Sequence, residues 1–195
     1  MMSPWKLPKT AVFGGKTYDL HTDFREILEI FRYFSDPDLP DCFKWQIALA
    51  LFYEQKLPAE QEQAAMEYLT LFLSGGRQAP TEGGPRLLDW EQDAPLIIAD
   101  VNKVSGLEIR AEPYIHWWTF LSWFHAIGEG RLSTVVGIRE KRNKGEKLES
   151  WEKRFYEENR RLVDLPKAYS RDEIEEQTRL LQLLDRSSTE RSDSR

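Results

Sequence analysis

The side chains that could carry acid-base or metal chemistry are few and scattered along the chain. They comprise three histidines and one cysteine, His21, His116, His125 and Cys42. His116 and His125 are nine residues apart in a stretch with helical features, which places them on opposite helix faces, so they could not readily share one metal ion. His21 lies near Asp19 and Asp23 and could imitate a catalytic pair, but no nucleophile is evident beside it.

Short catalytic and cofactor motifs are missing from the chain. The sequence contains no HExxH, CxxC, P-loop, GxSxG or GxGxxG pattern. A single cysteine cannot form an internal disulfide, and we expect Cys42 to be a small buried apolar residue. We therefore predict a protein that is not an enzyme and has no catalytic residues, no cofactor and no metal site.

Residues 1–74 are predicted to form an N-terminal hairpin followed by a helical lobe. Gly14 and Gly15 separate two short β-prone runs, as in a two-residue hairpin turn. Asp23, with Glu26 three positions later, caps a helix that continues to about Phe34. Two more helices are predicted at about 41–55, with Phe43 on its apolar face, and at about 59–73.

The remaining chain divides at a segment rich in glycine and proline. Residues 75–86 contain four glycines and two prolines and are predicted to be a linker or loop. Residues 87–166 are predicted to form a second, aromatic-rich helical lobe packed on the first. Its helices are expected at about 93–104, where Val104 belongs to the buried face, then from Pro113 to Gly128, and in two pieces around Gly145, with Trp151 at an apolar position.

Residues 167–195 are predicted to form a C-terminal helix and a disordered tail. Ser170 and Glu173 make a capping-box pattern, and Ile174, Leu181 and Leu184 follow at coiled-coil-like spacing. This apolar face is too narrow to form a core alone, so we expect it to pack on a partner or to dock loosely. The predicted fold class is mainly α: a compact multi-helix bundle with a small N-terminal β-hairpin and an amphipathic C-terminal helix.

Composition and charge place the chain among soluble globular proteins. Hydrophobic residues make up 41% and charged residues 31% of the chain, and the net charge is −6. The N-terminus lacks an apolar segment behind a basic start, so we expect no secretory signal and a cytoplasmic location. Residues 131–163 are the basic exception, with ten basic and six acidic side chains.

The stretch YIHWWTFLSWFH, residues 114–125, holds six aromatic residues in twelve positions. It is too short and too polar to cross a membrane, which requires about twenty apolar residues. Residues 111–130 contain no Lys or Arg that could neutralise the phosphates of a nucleic acid, which argues against a base-stacking platform. We favour a core helix covered on more than one side, and a partner interface on part of its surface is the open alternative.

The basic run IREKRNKGEK has two interpretations. Arg139 and Arg142, with the neighbouring lysines, could contact nucleic acid or an acidic protein surface. Glu140 and Glu146 are interspersed among these cations, which fits a solvated helix face at least as well. We favour the solvated face.

Three segments together carry a family resemblance. GGKTYDLHTDFR, LIIADVNKVSG and the run from YIHWWTF through STVVGIR to VDLP resemble the phage Gp-fifteen protein family of tailed phages and prophages of Gram-positive bacteria. The resemblance extends to about residue 166 and is most specific from PYIHWWTF to STVVGIR. The family pattern becomes variable in the middle linker and after Pro166.

The resemblance implies a function in tail assembly. Family members are encoded between the major tail protein and the tape-measure protein, the usual place of a tail assembly chaperone. It therefore implies a noncatalytic factor, with no cofactor, that coats the tape-measure protein and helps to recruit tail-tube subunits. Expected partners are the tape-measure protein, with the major tail protein and self-association as further contacts, and neither a membrane nor nucleic acid.

Two other function classes stay open: a structural tail or connector component of the virion, and a nucleic-acid-binding regulator that uses residues 139–147. The family supplies no established binding residues. Our own predicted partner-binding residues are therefore Trp117, Trp118, Trp123, Arg139, Arg142, Ile174, Leu181 and Leu184.

Overall fold

The computed structural model describes residues 5–77 and 84–166. The order of elements is β1 (Thr10–Phe13), β2 (Lys16–Asp19), α1 (Phe24–Phe34), α2 (Asp41–Phe52), a 3-10 turn (Ala59–Gln61), α3 (Glu62–Leu73), α4 (Ala94–Ser105), α5 (Trp117–His125), α6 (Arg131–Asn143), α7 (Ser150–Glu158) and α8 (Arg160–Val163). The prediction of a mainly α fold with a small N-terminal hairpin is confirmed. The predicted C-terminal helix lies outside the described residues.

The hairpin forms where the paired glycines predicted it. Gly14 and Gly15 have φ values of +58° and +72°, and this pair of left-handed residues matches the twist of antiparallel strands. The strands pair from Thr10 with Asp19 to Phe13 with Lys16. Alternation along β2 buries Tyr18, whose hydroxyl donates to Gln61 in the 3-10 turn before α3, so the hairpin packs on the helices.

Local signals explain the bounds of the first three helices. The carboxylate of Asp23 accepts a hydrogen bond from the Arg25 backbone N–H at 3.0 Å, which caps α1 as predicted, whereas Glu26 faces His21 at 3.4 Å instead of completing a capping box. Helix α3 ends at Leu73, and the positive φ values of Gly75 and Gly76 let their backbone N–H groups turn back onto the last carbonyls.

The first turn of α2 corrects two sequence predictions. Cys42 is exposed rather than buried, and the Phe43 side chain, predicted on the apolar face, is 53% exposed. The buried residues of α2 are Ala48, Leu49 and Phe52, all in its second half. The exposed residues Asp41, Cys42 and Phe43 all belong to its first turn.

The aromatic helix α5 is shorter than the predicted Pro113 to Gly128. It begins at Trp117 because His116, in an extended conformation, caps it, and it ends at His125. In α4, Ile97 and Val101 are buried, but Val104 is 37% exposed instead of buried, because it lies in the last turn before the left-handed Gly106.

The C-terminal helices surround a small second core. Val135, Ile138 and Val163 are buried together, with Leu148 and Phe155 packed at the edge. Gly145, at φ +70°, ends α6, as the sequence predicted. Trp151, predicted at an apolar position, is 56% exposed, because α7 turns its Phe155 face inward.

The main core is continuous across both predicted lobes. One cluster of buried residues includes Ile27, Phe52 and Phe72 from the N-terminal half, and Val101 and Phe120 from the aromatic-rich half. Rings of α1 and α5 meet directly, since Phe24 and Phe120 stack at a centroid distance of 4.8 Å. The helices of the second half are therefore packed on those of the first.

Candidate partner-binding surfaces

The two segments most characteristic of the sequence, HTDFR and YIHWW, meet in space. The Trp117 backbone N–H donates to the Thr22 carbonyl at 2.8 Å, and the Phe24 N–H donates to the Ile115 carbonyl at 2.9 Å. This exchange makes an antiparallel bridge between the residues that begin α1 and those that begin α5. The bridge sets the relative position of the two helices.

Asp23 and Arg25 extend this bridge to the loop before α5. The carboxylate of Asp23 accepts hydrogen bonds from the Ile115 N–H at 3.0 Å and from the Arg25 guanidinium at 2.9 Å. Arg25 also donates to the Ile109 carbonyl at 3.0 Å and to the Glu112 carbonyl. These groups satisfy backbone atoms that no helix or strand would otherwise pair.

His116 is a buried helix cap and not an acid-base group in a cleft. Its Nδ1 accepts the Trp118 N–H at 3.0 Å, and its Nε2 lies 3.0 Å from the Pro8 carbonyl, so the ring is neutral with the proton on Nε2. Burial lowers the pKa of His116, because the charged form would lose its hydration, and the nearby Lys9 acts in the same direction.

Trp117 and Trp118 hold the C-terminal end of α3. Their indole N–H groups donate to the Leu73 carbonyl at 3.0 Å and to the Phe72 carbonyl at 2.9 Å, two of the last carbonyls of α3. Their side chains are 1% and 8% exposed. The core interpretation of this helix is confirmed for both, and their burial removes them from the surface that a partner could reach in this conformation.

Trp123 differs from the other two tryptophans of α5. It is half-buried and packs at the edge of the main core. Of the three tryptophans predicted to contact a partner, Trp123 is the one that keeps accessible surface.

Arg139 is buried, which corrects its placement on a solvated or partner-binding basic face. Its guanidinium makes two hydrogen bonds to the Asp93 carboxylate, at 2.6 and 2.8 Å, with side-chain exposures of 3% and 0%. Further N–H groups donate to the carbonyls of Leu87, Leu162 and Val163 at 2.8 to 2.9 Å. All five N–H donors of Arg139 are used, so the residue ties α4 to the end of α8.

The exposed cations near Arg139 are paired with acids of the same region. Arg142 contacts Asp164 and lies 4.1 Å from the centre of the Tyr156 ring. Lys141 pairs with Glu152 at 2.7 Å, which raises the pKa of the lysine and lowers that of the glutamate. Lys144 pairs with Glu140 at 2.6 Å. Arg142 therefore remains accessible, and like Lys141 and Lys144 it is paired with a carboxylate.

The structure adds a groove that sequence reasoning missed. It runs between α1, the connection to α2 and the 86–91 segment, and it ends at Pro166, with a volume of about 540 Å³. Leu28, Phe31 and Trp90 supply its apolar surface, and all three are half-buried. A signal was present: the apolar face of α1 includes both Leu28 and Phe31 and is wider than one neighbouring helix covers.

Three predicted partner-binding residues, Ile174, Leu181 and Leu184, lie outside the described residues. Within residues 5–77 and 84–166, no group of three or more His, Cys, Asp or Glu side chains is arranged to hold a metal ion. None of the helices in the described part of the chain combines the length and apolar character that a membrane crossing requires.

Comparison with known proteins gives one family. A family model described as Bacteriophage Gp15 protein matches residues 6–165. Searches of curated proteins and of solved structures found no match. The matched range includes the bridge between HTDFR and YIHWW, the buried Arg139 and the groove residues of α1, and it ends one residue before the last described residue. The chain belongs to the Bacteriophage Gp15 protein family.

Proposed function

We propose that this protein is a noncatalytic tail assembly chaperone that binds the tape-measure protein of its phage in the host cytoplasm. The observation that carries the proposal is family membership over residues 6–165. The tape-measure protein is a long chain with extensive apolar helical surface, which would aggregate before the tail tube encloses it. A chaperone that covers this surface would keep the client available for assembly.

The contacts of the side chains that could act in acid-base chemistry support a noncatalytic function. His116 caps α5, and Asp23 and Arg25 join α1 to the residues before α5. Groups that serve as caps and backbone partners are held in place for folding, whereas a catalytic acid or base must reach a substrate.

Accessible aromatic side chains support binding to an apolar client. Trp151 on α7 and Phe43 on α2 are 56% and 53% exposed, and Tyr114 before α5 is 44% exposed. Large aromatic side chains are the residues that contribute most to protein interfaces. A net charge of −6 keeps separate copies apart in solution, and repeated contacts along one long client gain strength through effective concentration.

The paired cations weigh against a nucleic-acid-binding regulator. Arg139 is buried with Asp93, and Lys141, Arg142 and Lys144 each contact a carboxylate. Nucleic-acid affinity depends on cations that can neutralise phosphates, so this arrangement supports a protein partner instead.

Co-expression with the tape-measure protein from the same phage tests the proposal. We expect the tape-measure protein to become soluble and to co-purify with many copies of this chain. Trp151→Ala combined with Phe43→Ala should reduce the number of bound copies, whereas Val12→Ala, at a side chain 69% exposed on the hairpin, is the matched control.

An equally insoluble tape-measure protein, with and without this chain, would overturn the proposal. Mass spectrometry of purified phage particles distinguishes the chaperone from the remaining alternative. A structural tail or connector component would be present in the particles in fixed stoichiometry, and a chaperone would not.

A further inference from the structure

The groove along α1 exposes apolar surface at the point where the described chain ends. Leu28 and Phe31, three residues apart, lie on the same face of α1, and the Phe31 and Trp90 rings are 5.8 Å apart. Phe31 also contacts Trp117, at 5.7 Å, so the groove is the place where the aromatic core reaches the surface. Its volume of about 540 Å³ is in the range of sites that accept large apolar groups.

The rim of the groove is charged and internally paired. Arg32 pairs with Glu29, and Arg86 pairs with Asp89. All four groups belong to the groove lining, and both signs are present. A polar rim of both signs around an apolar floor suits an amphipathic segment that itself carries both signs.

The end of the described chain is held at this groove. The Gln92 side chain donates to the Leu162 carbonyl at 3.0 Å and to the Asp164 carbonyl at 3.1 Å, and Arg139 donates to the Val163 carbonyl at 2.8 Å. Pro166 follows directly and lines the groove. Residues 167–195 therefore follow from a part of the chain that is held beside the groove.

The sequence that follows has the pattern needed to cover that floor. Ile174, Leu181 and Leu184 have helical spacing, and charged residues of both signs lie between Ile174 and Leu181. Ile174 is eight positions after Pro166, and eight residues span up to about 26 Å when extended and about 12 Å when helical. Either length lets Ile174 return to a groove that begins at Pro166.

We propose that the groove formed by Leu28, Phe31 and Trp90 is the intramolecular docking site for the apolar stripe Ile174, Leu181 and Leu184 of the same chain. This inference goes beyond the proposed function and does not depend on it. Docking accounts for two observations together. The apolar stripe is too narrow to form a core alone, and the apolar groove includes Pro166, from which the segment with the stripe continues.

Hydroxyl-radical footprinting of the full chain tests the proposal, because it reports the accessibility of individual side chains. In Leu181→Asp/Leu184→Asp, oxidation of Trp90 and Tyr33, both in the groove, should rise about threefold, since a docked segment covers most of the surface that lines its site. Oxidation of Trp151, which is already exposed, should stay constant.

Gln182→Asp is the matched control, because it adds a carboxylate to the same segment and keeps the stripe. It should leave Trp90 and Tyr33 at their wild-type oxidation. Leu28→Asp tests the groove side: it should expose the segment and increase oxidation of Leu181 and Leu184, while the unchanged footprint of Tyr18 in the hairpin shows that the fold is kept.

Three results would overturn the proposal. Equal oxidation of Trp90 in wild type and in Leu181→Asp/Leu184→Asp means that the stripe does not cover the groove. Protection of Trp90 that disappears on dilution means that the segment comes from a second copy. A rise in Trp90 oxidation that Gln182→Asp reproduces means that added charge, and not loss of the stripe, is the cause.

Discussion

At the scale of single residues, Trp117 and Trp118 show how one side chain can serve two purposes in folding. Each ring fills the core, and each indole N–H satisfies a carbonyl at the end of α3. An adjacent pair of tryptophans at a helix start is thus explained by the helix end that it holds, 44 and 46 residues earlier in the chain.

Replacing either indole with a phenyl ring should separate these two purposes. We expect Trp117→Phe and Trp118→Phe each to lower the free energy of unfolding by about 1–3 kcal/mol, because a backbone carbonyl at the end of α3 loses the hydrogen bond from the indole and the ring becomes smaller. Urea unfolding measures the change. Trp123→Phe, at a half-buried side chain, is the control and should stay within about 0.5 kcal/mol of wild type; an equal loss in all three variants would contradict the capping function.

His116 should make the stability depend on pH. Its pKa in the folded protein lies below the ordinary value of 6.5, so below pH 6.5 the unfolded chain binds a proton that the folded chain does not yet bind. The free energy of unfolding is therefore unaffected by His116 above pH 6.5, falls as the pH is lowered through this range, and levels off below the lowered pKa. The slope from this one group is at most about 1.4 kcal/mol per pH unit.

Urea midpoints measured across this pH range check the expectation. His116→Asn keeps a side chain that can cap α5 but does not titrate, so the difference in slope between wild type and this variant isolates the histidine. Identical slopes in both proteins would show that the imidazole does not cause the pH dependence.

At the scale of elements, the Asp93 and Arg139 pair joins parts of the chain that are far apart in sequence. The two residues are 46 positions apart and link the start of α4, the residues before it and the end of α8. A buried pair of this kind positions elements, and the desolvation of both charges offsets much of its favourable energy.

Breaking this pair from one side should be costly. We expect Arg139→Met to lower the free energy of unfolding by about 3–5 kcal/mol, because it leaves the Asp93 carboxylate buried without its partner. The double variant Arg139→Met/Asp93→Leu should be less destabilised than the two single changes added together, with a coupling of about 1 kcal/mol or more.

The matched control for this cycle is Arg142→Met, at an ion pair with Asp164 in which both side chains are at least 40% exposed. Solvent screens that pair, so the change should cost less than about 1 kcal/mol. Strictly additive effects of Asp93→Leu and Arg139→Met would show that the two residues act independently.

At the scale of the whole molecule, the continuous core predicts one cooperative unit. Buried residues from α1 to α3 share a single cluster with those of α4, α5 and the start of α6. Calorimetry should therefore show one unfolding transition with equal calorimetric and van't Hoff enthalpies. Two separate transitions would indicate that the N-terminal and aromatic-rich lobes unfold independently.

The sequence by itself determined the features that depend on neighbours in the chain. The hairpin at Gly14 and Gly15, the cap at Asp23 and the helix end at Gly75 follow from the conformations and hydrogen bonds of residues within a few positions. Apolar periodicity likewise identified most helices, and three local segments identified the family. Such signals survive in sequence because their physical cause is local.

The tertiary structure decided which of these helical residues are buried and what they contact. The sequence could not show that Arg139 is buried or that Phe43 and Trp151 are exposed, because each outcome depends on elements from elsewhere in the chain. The same holds for the groove at Leu28, Phe31 and Trp90, which exists because α1 and the 86–91 segment lie together. Burial is a property of packing, and packing brings together residues whose sequence separation carries no local signal.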